Sequence, residues 1–149
     1  MKRRRAAIAL LLPAAVRAQA VPPALIAAAE HGDAQTLRRL LDAGAPVNVR
    51  DARGRNAVLA ATQGGHEAAA RLLIERGADV NAQDEISDSA FLLAGARGHT
   101  DIVRAALAAT PRPDFTRLNR YGGTALIPAC HYGHVDTVRL LLTTGIDVN

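Results

Sequence analysis

The stretch that decides the fold covers residues 65–84 and reads GHEAAARLLIERGADVNAQD. It opens on Gly65, continues with apolar and charged residues at helical spacing, and reaches a second glycine at Gly77. Much of it recurs 33 residues away in both directions, since Gly32 and Gly98 occupy the position of Gly65. A fixed period of this length is typical of repeat proteins, in which similar units stack along one axis.

Each unit is predicted to contain two helices. Five, eight and nine residues after each aligned glycine stand apolar residues, such as Ala70, Leu73 and Ile74, which lie on one face of a helix. Gly77 follows at the position where a helix needs a left-handed residue to end. A shorter apolar segment precedes each aligned glycine, and a residue able to cap a helix N-terminus stands before it in three units: Asn56, Ser89 and Thr124.

The pattern resembles the ankyrin repeat family over residues 23–149. The resemblance is carried by the string Gly-Ala-Asp-Val-Asn-Ala-Gln-Asp at 77–84, by the Gly-His pair before the second helix, and by the 33-residue period. The family's Thr-Pro-Leu-His signature is replaced here by Asn-Ala-Val-Leu, Ser-Ala-Phe-Leu and Thr-Ala-Leu-Ile. The resemblance, closest to exported bacterial members, implies an all-α solenoid of stacked helix-turn-helix units with hairpin-like tips.

The N-terminal 20 residues are interpreted as a signal peptide. They contain four basic residues among the first five, an apolar run too short to span a membrane, and an A-x-A cleavage site that ends at Ala20. We therefore expect a periplasmic or secreted protein, with either the general or the twin-arginine export route; the alternatives are an uncleaved anchor or a basic tail. The remainder is predicted to be one repeat domain, 21–149, with units at 21–50 (an N-terminal cap), 51–83, 84–118 and 119–149, the last of which is expected to lead into further chain.

The charge of the chain argues against nucleic-acid binding. The whole sequence carries 18 basic and 14 acidic residues, a net charge of +4. Five of the basic residues lie within the first 20, so the remainder has 13 basic and 14 acidic residues and a net charge of −1. No extended basic stripe remains to bind phosphates or an anionic membrane surface. We therefore expect neither a nucleic-acid nor a membrane partner. The predicted partner is a protein, and the chain is expected to be a monomer.

No catalytic motif is present, and we predict neither an enzyme nor a cofactor. A nucleophile elbow, a phosphate-binding loop, a His-Glu-x-x-His pair and a dinucleotide-binding glycine pattern are all missing from the sequence. Cys130, His131 and His134 form one cluster that could hold a metal or act in redox chemistry. The alternative is that Cys130 is a buried small residue, because it stands at the position of Ala61 and Gly95.

The resemblance implies that partners dock on the concave side, which is built from the turn tips and the short helices. A protein–protein interaction module is the predicted function, and an immunity-type inhibitor of a specific enzyme is the alternative. Tyrosine and arginine are frequent among residues that dominate binding energy, and both occur at the tips. The predicted contact residues are Arg50, Arg53, Arg55, Gln63, Gln83, Glu85, Ile86, Asp88, Arg97, Arg120, Tyr121, His131 and Tyr132.

Overall fold

Eight helices follow one another in residues 24–148, the part of the chain that the computed structural model describes. The predicted signal peptide at 1–20 lies outside the described residues. The helices come in four pairs, with a short reversal within each pair and a longer loop between pairs. The first helix, α1, covers residues 24–30, and seven others follow it. They are α2 (Ala34–Asp42), α3 (Ala57–Gln63), α4 (Glu67–Glu75), α5 (Ala90–Arg97), α6 (Thr100–Ala108), α7 (Leu126–His131) and α8 (Val135–Leu142).

The helices form two layers. The first helices of successive units contact each other in the order α3, α5, α7, and the second helices contact each other in the order α2, α4, α6, α8. The apolar core lies between the layers. Leu37 and Val103, five residues after their aligned glycines, and Leu73 and Leu141, eight residues after theirs, are all buried in it. This arrangement confirms the predicted all-α repeat stack.

Glycine ends or reverses the helices as the sequence predicts. The backbone φ is +69° to +73° at the four aligned glycines, and it is +88°, +85° and +75° at Gly44, Gly77 and Gly145. In the third unit, Thr110 stands where the other units have the second glycine, and α6 ends at Ala108, ahead of the two prolines that follow. The prolines thus replace the glycine as the stop signal.

Two of the three predicted N-caps are present. Asn56 accepts a hydrogen bond from the amide of Leu59 at 3.1 Å, and Ser89 accepts one from Leu92 at 3.3 Å. Thr124 does not cap α7, because that helix begins one residue later, with Ala125 in the cap position. The hydroxyl of Thr124 is buried and has no hydrogen-bond partner among residues 24–148. The predicted cap at Thr124 is therefore wrong.

One further expectation about the last unit is wrong. Cys130 is exposed, whereas Ala61 is fully buried and Gly95 lies against Ala125 of the next unit. No later first helix covers Cys130 within the described residues. Leu141 on α8 is fully buried, because α8 packs against α6 and α7, whereas its neighbour Leu142 is 54% exposed.

Three tips share one turn geometry. In the first tip, the amide of Asp51 donates to the carbonyl of Arg55 at 3.0 Å, and the carboxylate of Asp51 accepts from the amides of Arg53 and Arg55 at 2.9 Å. The same bonds join residues 84, 86 and 88 in the second tip and residues 119, 121 and 123 in the third. One Asp or Asn side chain therefore fixes each tip from within.

Asparagine side chains tie the first unit to the second and the second unit to the third. Asn48 donates from its amide to the carbonyl of Gly77 at 3.2 Å and accepts from the amide of Asp79 at 2.7 Å. Asn81 makes the same pair of bonds to the carbonyl of Arg112 at 3.0 Å and the amide of Asp114 at 2.7 Å. Although the third unit is two residues longer, its loop returns to the same register.

The second tip has a backbone feature that its neighbours avoid. Ser87 has a φ of +62°, in the left-handed region, where the first and third tips have Gly54 and Gly122. A residue other than glycine costs roughly 1–2 kcal/mol in this region. Glycine would remove that cost, but it also raises the conformational entropy of the unfolded chain, which cancels part of the stabilisation. We expect Ser87→Gly to raise the free energy of unfolding by up to about 1 kcal/mol, measured by urea denaturation.

Gly122→Ser is the reciprocal variant, because no atom lies within 4 Å of a Cβ at Gly122 and only the backbone conformation is affected. It should lower the free energy of unfolding by about 1 kcal/mol. A destabilised Ser87→Gly together with an unchanged Gly122→Ser would contradict this explanation.

Candidate protein-binding surface

The tips present adjacent pairs of residues to solvent. The two residues that directly follow the Asp or Asn of each turn are Ala52 and Arg53, then Glu85 and Ile86, then Arg120 and Tyr121, and all six are exposed. Neighbouring tips are linked, since the amide of Glu85 donates to the carbonyl of Arg53 at 3.0 Å. Most of the predicted tip residues are thus held on a rigid backbone and differ in charge from one tip to the next.

Arg55 is the main correction to the predicted set, because its side chain is buried. Its guanidinium donates to the carboxylate of Asp51 at 2.8 Å, to Glu30 at 3.3 Å and to the side-chain oxygen of Gln63 at 2.9 Å. Burial opposes the charge of Asp51, but the hydrogen bonds from Arg55 and from two backbone amides outweigh it and lower the pKa of Asp51. Arg55 joins the first tip to α1 and α3 and is a structural residue.

Asp88 is also buried, and it holds Arg120. The carboxylate of Asp88 accepts from the guanidinium of Arg120 at 2.5 Å, and this contact raises the pKa of Arg120. The guanidinium of Arg120 also lies over the ring of Tyr121, 5.7 Å from its centroid. The charge of Asp88 is thus neutralised by Arg120. Tyr121, which follows Arg120 in the chain, is 85% exposed.

The other predicted residues differ in how far their side chains are exposed to solvent. Arg50 is exposed and donates to the carbonyl of Gln83 at 3.2 Å. Gln83 is half-buried and donates to the carbonyl of Leu118 at 2.9 Å, so it also links two tips. His131 is exposed on α7, and its ring meets the edge of Tyr132 at a centroid distance of 4.9 Å.

A groove of about 690 Å³ lies between the tips and the first helices of the last three units. Its volume is within the range of roughly 300–1,000 Å³ that ligand sites occupy in proteins. Six of the thirteen predicted residues line it: Gln63, Asp88, Arg97, Arg120, Tyr121 and Tyr132. Sequence reasoning missed the rest of the lining, which consists of Gly64, Gly65, Leu93, Ala96, His99, Asn119 and Pro128.

The missed lining residues are mostly small or apolar, and they form the part of the groove nearest the helices. Leu93, Ala96 and Pro128 are half-buried on α5 and α7. Their positions could have been found by marking the side of each short helix that does not face the core. The groove therefore combines an apolar floor with arginine and tyrosine side chains at its rim.

Histidines recur at the N-termini of the second helices but do not converge. His66 bonds to the carbonyl of Glu30 in the preceding unit at 3.0 Å, and His99 lies 3.9 Å from the carboxylate of Glu67. Burial lowers the pKa of His99 against the opposing effect of Glu67. Among residues 24–148 no group of three His, Cys, Asp or Glu side chains is placed to hold a metal ion, and this includes the cluster around Cys130.

The comparison with known families agrees with this geometry. The family described as ankyrin repeats (3 copies) matches residues 4–84 and 85–149. The chain belongs to the ankyrin repeat family. Ankyrin repeats are protein–protein interaction modules. In the described part of this ankyrin stack, none of the helices has both the length and the apolar character that crossing a membrane requires.

Two solved ankyrin structures are similar to the chain. One is EF0377, an ankyrin repeat protein, with 41% identity, a TM-score of 0.78 and 85% of this chain covered. The other is an ankyrin repeat domain from Acinetobacter baumannii AYE, with 46% identity, a TM-score of 0.79 and 84% of this chain covered. The match spans 63% of the length of each of these structures. None of the curated proteins compared with the chain matches it.

The buried and exposed arginines of the first tip predict different effects of substitution. Arg55→Ala leaves the partly buried carboxylate of Asp51 without its cation, so the ankyrin stack should lose about 2 kcal/mol or more of unfolding free energy. Arg53→Ala is the matched control two residues away, and because Arg53 is exposed we expect a change below about 0.5 kcal/mol. Thermal denaturation measures both, and equal losses would contradict the structural role of Arg55.

Proposed function

We propose that this ankyrin repeat protein binds a partner protein through the groove and the three tips, without catalytic activity. The observation that carries the proposal is the arrangement of Tyr121 and Tyr132, which are 85% and 66% exposed at the rim of a groove with an apolar floor. Two exposed aromatic rings beside an apolar floor form a patch of the kind that marks an interaction site, and tyrosine is frequent among residues that dominate binding.

The surroundings of both rings support the same function. The guanidinium of Arg120 lies over the ring of Tyr121, and the ring of Tyr132 contacts those of His131 and His134, with centroid distances of 4.9 Å and 6.2 Å. The backbone of the tip that carries Tyr121 is preorganised by its internal hydrogen bonds, so little backbone entropy is lost there on binding. The surface is therefore suited to a partner of defined shape.

We also propose that binding occurs outside the cytoplasm, after removal of residues 1–20. The support is the order of basic residues, apolar run and A-x-A site in the sequence. N-terminal sequencing of the protein from the exported fraction should begin at Val21. An intact N-terminus, with the protein found only in the cytoplasm, would contradict export.

The binding function is tested by a triple substitution in the groove. Arg97→Ala, Tyr121→Ala and Tyr132→Ala together should reduce recovery of the specific partner by at least about tenfold in affinity purification, followed by quantitative mass spectrometry. The three side chains are exposed, so the melting temperature should fall by no more than a few degrees.

The matched control substitutes three exposed residues of the other helix layer. Arg71, Glu75 and Arg104 lie along a separate groove between α4 and α6, and Arg71→Ala, Glu75→Ala and Arg104→Ala should leave partner recovery unchanged. Loss of the partner in this control, with retention in the groove variant, would move the binding surface to the second helices.

A further inference from the structure

The groove contains one cation that no carboxylate neutralises. Arg97, at the end of α5, is exposed, and its guanidinium donates to the backbone carbonyl of Gln63 at 2.6 Å. Within residues 24–148, no carboxylate oxygen lies within 4.0 Å of its guanidinium nitrogens. The carbonyl therefore holds the guanidinium at the rim and leaves its full positive charge available to an incoming group.

The other charged residues in the groove do not offset this charge. Asp88, the one carboxylate of the lining, is buried and bound by Arg120. His99 adds little positive charge at neutral pH because its partly buried ring favours the neutral form, as its lowered pKa indicates. The groove thus carries a net charge of about +1, which comes from Arg97.

The apolar floor sets the second requirement on the ligand. Leu93 and Ala96 of α5 and Pro128 of α7 are only half-buried and lie in the same groove as Arg97. Tyr121 and Tyr132 stand at the rim on opposite elements, a tip and the end of α7. A ligand that contacts all of these residues needs an apolar side chain to pack on the floor and the tyrosines. It also needs an anionic group beside that side chain to bind Arg97.

We propose that the groove receives a short peptide segment of the partner in which an Asp or Glu side chain binds Arg97 and an adjacent large apolar side chain packs on the floor. This inference rests on the proposed function, because it assigns the chemistry of the segment that the partner inserts. A guanidinium binds a carboxylate by two parallel charge-assisted hydrogen bonds, which fixes the orientation of the bound segment as well as adding affinity. The partner is thus distinguished by an acidic–apolar sequence and not by net charge alone.

The test is selection of random hexapeptides displayed on phage against the full-length protein. Selected peptides should contain Asp or Glu next to Leu, Ile, Phe, Trp or Tyr. For the strongest peptide, replacing the acid by its amide should weaken binding by about tenfold or more, as measured by fluorescence anisotropy, because a hydrogen bond to a charged group is lost.

Substitution of Arg97 provides the second arm of the same experiment. Arg97→Gln should bind the acidic peptide and its amide counterpart equally and remove the salt dependence of binding, whereas Arg71→Gln should keep the full difference. Selection of peptides without acids, a preference that survives in Arg97→Gln, or failure to select any peptide overturns this inference. If the partner is still lost from the triple groove variant in those cases, the proposed binding function stands and only the peptide chemistry fails.

Discussion

The stack depends on the hydrogen bonds by which one unit orients the next. Asn48 and Asn81 each use both ends of their side-chain amide, donating to one backbone carbonyl and accepting from a backbone amide two residues further on in the following unit. The four bonds lie at the surface, where each contributes roughly 0.5–1.5 kcal/mol, and the two at one junction act together. They fix the distance and rotation between the first three units and so help to place the tips along the stack.

This arrangement separates the residues that maintain the fold from those that remain available for binding. Arg55 and Asp88 stand at equivalent positions of two tips, and both are buried in ion pairs that link a tip to its surroundings. The pairs of residues at the tip apices contribute little to the core. Their identity can change without affecting the asparagine bonds or the internal turn. A repeat stack therefore suits a binding protein, because contact residues are presented by a backbone whose stability comes from elsewhere.

Much of the fold could be predicted from the sequence because it repeats. The 33-residue period, the glycine positions and the apolar faces are local signals that recur in each unit and reinforce one another. The predictions were wrong where a residue of one unit has different neighbours from its equivalents in the other units. Thr124 matches Asn56 in the alignment, but α7 begins one residue late, and Cys130 matches buried residues but is exposed.

The binding surface was less predictable, for physical reasons. An arginine at a turn tip looks the same in sequence whether it faces solvent, as Arg53 does, or an ion pair from another unit, as Arg55 does. Glu30 is 25 positions from Arg55, and no local pattern connects them. The floor of the groove was missed because half-buried small residues, such as Ala96, carry no chemical signature until the tips are placed opposite them.

The claim that the groove side of the stack is the binding surface is tested most directly by site-specific photocrosslinking in the native host. A benzophenone-bearing phenylalanine is placed either at position 121, at the rim of the groove, or at position 71, on the other helix layer. The account predicts a covalent adduct with one partner protein from position 121 and none from position 71. An adduct that forms from position 71 and not from position 121 would contradict it.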